Sequence, residues 1–314
     1  MTTPGTLRYQ EEDLAFTCVT GVTTSRVARG QRFASRLTAS AVAADALDGA
    51  LVIGLGMFEQ GFYNRLGFGT GGYDVLHAFD PAHLRVPVTA RAPRRLTMDD
   101  WELVHAGRLT RRRRHGGCNL TDSMNTRIEM RGSGEFGLGY CDPTTGELTH
   151  HFWCDTAADE HGPYHVTWLA FRTNEQFLEL MALIKALGDQ VRLVRMLQPP
   201  GIHLQDLLDR PIQRRLASKG SCFETNVLAR AWWQMRLLDL PGCLARTRLP
   251  WADLHFNLSL ADPIERLLEE DAPWRGVGGE YVLTLGTESG AERGHDPALP
   301  TLSASVNAFT RAWL

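Results

Sequence analysis

The spacing of apolar and polar positions changes period several times along this chain, and each change marks an element. Leu14–Thr23 reads as a β-branched strand, Gln31–Leu47 as an amphipathic helix and Ala50–Leu55 as a second, wholly apolar strand. Glu59–Leu66 predicts a short helix, and Gly67, Gly69, Gly71 and Gly72 punctuate its exit. Tyr73–Phe79 predicts another strand, and Pro81, Pro87 and Pro93, with basic residues between them, predict a linker over 80–95. A fresh helix begins at Thr97, whose hydroxyl can cap ahead of Asp99 and Asp100.

The middle of the chain has a β-β-α-β rhythm. Gly134–Cys141 and Glu147–Cys154 flank Asp142-Pro143-Thr144-Thr145-Gly146, which predicts a hairpin. A strand at Tyr164–Phe171, a capped helix at Asn174–Leu187 and a strand at Val191–Met196 follow, then a short helix at Ile202–Leu208. Further on, Trp232–Leu238, Leu254–Leu260, Glu280–Leu285 and Thr301–Ser305 predict strands, with a short helix at Pro241–Arg246 and a last one ending at Leu314.

Length and charge narrow the classes. The 314 residues suffice for two or three domains, each with its own core. A net charge of −3 supplies no bulk field for nucleic acid or an anionic membrane. Six cysteines without a C-x-x-C pair read as reduced thiols, and no apolar leader or membrane-spanning run is present, so a cytoplasmic protein is expected. Arg111–Arg114 reads as a solvated helix end, and Trp232-Trp233 as core packing. His150, His151, His161 and His165 lack metal-ligand spacing: the first two fall on opposite faces of a strand. Gly54-x-Gly56 lacks the third glycine of a dinucleotide-binding turn, since Glu59 stands there.

The chemistry concentrates early. After the first strand come Arg29, Gly30, Gln31, Arg32, Phe33, Ala34 and Ser35, at the start of a helix. Unpaired N–H groups and the positive end of the helix dipole make such a turn a pocket for phosphate. The plainer reading is an amphipathic helix with solvated arginines. A buried phenol at Tyr63 could donate a proton as a general acid, or could simply pack helix on strand.

Strand, arginine-rich turn, helix, strand, then Phe62-Tyr63-Asn64-Arg65-Leu66-Gly67-Phe68: this order resembles the acetyl-CoA-binding half of a GNAT-superfamily N-acetyltransferase. The resemblance implies acetyl-CoA as co-substrate, no metal, and Tyr63 as the acid that protonates the leaving thiolate. It implies backbone pairing of the pantetheine arm along Val22, Thr23 and Thr24, and N–H groups offered by Phe58 and Glu59. It also puts Arg32 where the superfamily turn usually has glycine, with Gly30 one place early.

Over nearly the whole chain the order of motifs, including W-W-Q-M-R-L-L-D-L-P-G-C-L at 232–244 and L-x-L-x-D-P at 258–263, is similar to the Eis-like (enhanced intracellular survival) acetyltransferases. An α+β protein of three domains is then expected: a partial acetyltransferase domain over 1–85, a degenerate second one over 86–228 and a sterol-carrier-protein-like domain over 229–314. The first would lack its front half and the last would be incomplete. A primary-amine acceptor and a homo-oligomer, often hexameric, are implied; Trp251, Trp274 and Trp313 would offer an apolar face for assembly. The family's C-terminal carboxylate base has no secure counterpart at Leu314. The alternative function is a non-catalytic CoA-binding or assembly module with a decayed site.

Overall fold

A computed structural model describes residues 1–132, 134–156, 158–212 and 218–314. The chain forms two compact units: residues 1–72, 114–121 and 231–314 make the first, and 73–113 with 122–230 the second.

In the first unit, β1 (Thr2–Tyr9) and β2 (Glu12–Val19) form an antiparallel hairpin. The chain crosses through α1 (Phe33–Leu47) to β3 (Val52–Gly56), which lies parallel to β2, then makes the one-and-a-half-turn α2 (Gln60–Asn64) and the short β4 (Gly69–Thr70). Between β3 and β4 sits a strand from far along the chain, Trp233–Leu237, antiparallel to both. Its register, Leu237 opposite Val52 and Met235 opposite Gly54 and Gly69, closes a six-stranded sheet that Cys118–Leu120 borders at its other edge.

Alternation along β3 decides which core each face joins. Ile53 and Leu55 meet Val42 of α1 and Tyr63, Leu66 and Phe68, whereas Val52 joins Leu14, Phe16 and Leu237 on the opposite face. Gly54 is required by this second face, because a Cβ there would lie 2.9 Å from the Phe16 ring. That face also packs on a four-stranded sheet of 254–261, 279–285, 290–293 and 301–305 through Leu258 and Tyr281, and on Val306 at the start of the last helix.

The second unit is a seven-stranded sheet in the order 226–230, 74–79, 194–197, 164–170, 148–156, 135–141, 94–96. The predicted hairpin and the capped helix Asn174–Ala186 form as read, the helix by a capping box between Thr173 and Gln176. The expected linker over 80–95 is instead ordered within this unit: Pro81–His83 makes a helical turn, Leu84 is buried, and Arg94–Leu96 is an edge strand. Proline here stops one element and starts the next rather than separating domains.

Two aromatic expectations change. Trp232 is 43% exposed, with its indole against Gly56, where a Cβ would lie 2.7 Å from Nε1. Trp313 stacks on Tyr9 at 4.1 Å, and Trp274 Nε1 donates to the Leu238 carbonyl at 3.2 Å, so of the three indoles expected on a partner-seeking face only Trp251 stands in the open.

Candidate functional site

The β2–β3 ladder runs from Phe16–Val52 to Cys18–Gly54 and ends there. β2 stops at Val19, earlier than the predicted Thr23, while β3 continues to Gly56 on its other side, paired with Trp233. Residues 20–32 leave the sheet where the strands part. They include a single helical turn, Arg26–Ala28, before α1 begins.

The start of α1 is open. Its first helical hydrogen bond is Arg36 N to Arg32 O, so the N–H groups of Phe33, Ala34 and Ser35 precede the ladder and are the orphan donors of a helix end. Among the described residues no side chain caps them. Arg32, the residue before them, has φ +61 and ψ +10, the left-handed conformation that glycine adopts without strain. Gly30 is also left-handed at φ +80 and has open space around its Cα. Residue 32 thus holds a backbone angle that glycine would hold without strain.

A cavity of about 560 Å3 lies against this helix start. Its walls are Val22, Thr23, Thr24, Ala28, Arg29, Gly30, Arg32, Phe33, Ala34 and Ser35 on one side and Phe58, Glu59, Phe62 and Arg65 on the other. Three guanidinium groups and one carboxylate line the cavity, and among the described residues Arg29, Arg32 and Arg65 have no ion-pair partner. Glu59 is engaged as the N-cap of α2, accepting from Gly61 N at 2.9 Å and Phe62 N at 2.5 Å. The wall therefore suits an extended ligand with anionic groups at the α1 end and an apolar stretch beside Phe58 and Phe62.

Of the residues singled out from sequence, the structure brings Val22, Thr23, Thr24, Arg29, Gly30, Arg32, Phe33, Ala34, Ser35, Phe58 and Glu59 to this one cavity. Gln31 is outside the lining; its Nε2 donates to the Val27 carbonyl at 3.3 Å. Tyr63 stands behind the wall, 3% exposed, with its ring edge-on to Phe58, Phe62 and Phe68 at 5.8, 4.9 and 6.1 Å. Burial, and secondarily the Glu59 charge, raise its hydroxyl above the usual phenol pKa, so it carries its proton throughout neutral pH.

Ala28, Phe62 and Arg65 were missed by the sequence reading, although a signal existed for two of them. Phe62 and Arg65 are three apart and share one helix face, while Tyr63 and Leu66 share the next. The face carrying the arginine points to the cavity, and the other points to the core.

Comparison of the whole fold with solved structures decides its class. A probable N-acyltransferase of unknown function from Enterococcus faecalis matches with a TM-score of 0.73 and 16% identity, over 99% of this chain and 74% of that one. A GCN5-related N-acetyltransferase from Anabaena variabilis matches at 0.70 and 13%, over 99% and 75%. Eis1 from Mycobacterium abscessus matches at 0.71 and 16%, over 99% and 76%. The fold is that of the GCN5-related N-acetyltransferases. No family model matches the chain, and no curated protein does.

Among the described residues no cluster of His, Cys, Asp and Glu has the makings of a metal site, and no helix is long and apolar enough to cross a membrane. His150 Nε2 lies 3.1 Å from Glu179, and His151 Nε2 accepts from Trp168 Nε1 at 3.3 Å.

Proposed function

We propose that this chain is an N-acetyltransferase that takes its acetyl group from acetyl-CoA and gives it to a primary amine of a small molecule or a protein lysine. The observation that carries the reading is the uncapped start of α1, with its orphan N–H groups and unpaired arginines opening on a cavity where β2 and β3 part. Phosphate groups fit this turn, because both the N–H groups and the guanidinium groups favour anions. Acetyl-CoA, as substrate, supplies an activated thioester open to attack by a neutral amine. On the protein's side, the turn 29–35 holds the phosphates, Val22 and Thr24 offer backbone groups to the arm, and Tyr63 keeps a proton for the departing thiolate.

On the same reading residues 86–228 are a degenerate acetyltransferase-like domain, residues 229–314 are a sterol-carrier-protein-like domain, and the chain assembles as a homo-oligomer. A non-catalytic CoA-binding module is the competing outcome.

Tyr63→Phe tests the reading. It keeps the ring and its three aromatic contacts but removes the proton. Turnover with an amine panel is expected to fall about 10²–10⁴-fold while acetyl-CoA affinity, by calorimetry, stays within about threefold. Full activity in the variant removes Tyr63 from the chemistry. Saturable acetyl-CoA binding without transfer to any amine favours the binding module.

A further inference from the structure

Tyr63 has no hydrogen bond to its hydroxyl among the described residues; its ring is located by packing, in the core beside Ile53 and Leu55 and edge-on to Phe58, Phe62 and Phe68. It is carried by a helix of five residues, too short to be stable by itself. The turn that follows, Asn64–Phe68, is gripped from outside. Gln234 Nε2 donates to Asn64 Oδ1 at 2.6 Å. Arg236 Nη1 donates to the Leu66 carbonyl at 2.6 Å. Asn307 Nδ2 reaches both the Asn64 and the Phe68 carbonyls at 2.9 Å. These three side chains come from strand 233–237 and helix 306–313, about 170 residues or more beyond the turn in sequence.

The grip is built rather than incidental. Arg236 is wholly buried and held by Asp262, which also accepts from Ile264 N at 3.2 Å and Val277 N at 2.9 Å. The turn is shaped to admit it: a Cβ on Gly67 would lie 2.1 Å from Arg236 Nη1, and one on Gly69 would lie 2.2 Å from the Asn307 carbonyl. Gly67 further needs its left-handed φ of +86. Both glycines of L-G-F-G thus answer to side chains and backbone of the last segment.

We propose that Gln234, Arg236 and Asn307 are positioning residues that set the Tyr63 hydroxyl by fixing the turn behind it. The proposal rests on the acetyltransferase reading of Tyr63. It gives residues 231–314 a part in the transfer step without any contact with the reacting atoms.

The test uses the full chain with Asn307→Ala, at a half-buried position, and Gln234→Met as a second variant, the fold of each checked by circular dichroism. Each is expected to lower kcat about ten- to a hundredfold, as small displacements of a reacting group do, with acetyl-CoA affinity within about twofold. The alkaline limb of kcat should move to lower pH as the loosened phenol meets water. In a Tyr63→Phe background Asn307→Ala should cost nothing further. An equal loss in both backgrounds, or wild-type kcat with an unmoved limb, overturns the clamp. Full activity of Tyr63→Phe alone overturns the Tyr63 reading and, with it, the clamp's catalytic role, as does a wild-type chain that transfers to no amine.

Discussion

The chain contains two strand–helix–strand crossovers of the same topology, and they differ where one helix begins. In the second unit, Tyr164–Ala170 and Val194–Leu197 are parallel and the helix Asn174–Ala186 joins them. Only residues 171–173 separate strand from helix, and the helix start is filled: Thr173 Oγ1 accepts from Gln176 N at 3.3 Å, and Gln176 Oε1 accepts from Arg172 N at 2.7 Å. In the first unit, residues 20–32 separate β2 from α1, the start is uncapped, and a cavity occupies the place of the cap. Topology is common to both; the open donors belong to one. A fold of this class becomes a site only where its helix end is left unsatisfied by the protein itself.

Acid should separate the two units most strongly. His151, fully buried on the strand 148–156, has its pKa pushed down to about 3 by burial and by the charges of Arg108 and Arg111. The unfolded chain takes up this proton near its ordinary value of 6.5, and the folded unit does not until about pH 3. Stability from this group is therefore complete above pH 6.5 and is lost as pH falls from there, at up to about 1.4 kcal/mol per pH unit. His151→Gln, which keeps an acceptor for Trp168, should flatten the acid limb by one proton. The stacked Trp153–Trp168 pair, 5.6 Å apart and 3° from parallel, gives a near-ultraviolet circular dichroism signal to follow it. An unchanged acid limb in the variant removes His151 from the account.

Closing the first crossover by hand is the next largest effect. Arg32→Asp keeps a residue tolerant of left-handed backbone, puts a carboxylate on the open N–H groups and deletes a cation. Acetyl-CoA affinity should fall about a hundredfold, near 2.7 kcal/mol, while the helix is as stable or more so. Calorimetry and thermal melts on one sample decide it; a folded variant with wild-type affinity would move the phosphate site elsewhere.

How much of this contrast was legible depends on sequence distance. β2, α1, β3 and α2 follow one another, so periodicity and the arginine-rich turn suffice to place them, with errors at strand and helix ends. The partner of β3 and β4 lies at 233–237, and nothing local in W-Q-M-R-L says which sheet it enters. The same is true of Arg236, whose partners Asp262 and Leu66 adjoin it only in the fold. In sequence Gln31 is continuous with the turn, whereas in the fold its side chain bonds back to the Val27 carbonyl and stays outside the lining.

The closed crossover offers the converse substitution. Thr173→Ala removes a cap whose partner donor, Gln176 N, has no other bond at the helix start. The second unit should lose about 1 kcal/mol, seen as a lower denaturant midpoint with an unchanged slope, and acetyl-CoA affinity should not move. Weakened binding would mean that the second crossover shares in the site.

Arg32→Gly isolates the smallest term. The left-handed backbone costs arginine about 1 kcal/mol that glycine does not incur, and glycine's greater freedom in the unfolded chain returns part of the difference. A net gain of a few tenths of a kcal/mol is expected, a rise in Tm of about 1 °C for a chain this long. Binding should move the other way. If the guanidinium contributes one charge-assisted contact to a phosphate, its loss weakens acetyl-CoA by less than tenfold even as the protein melts higher. Tighter binding together with higher Tm would instead mean that the arginine obstructs the turn, and that the open crossover is narrower in this chain than its uncapped helix implies.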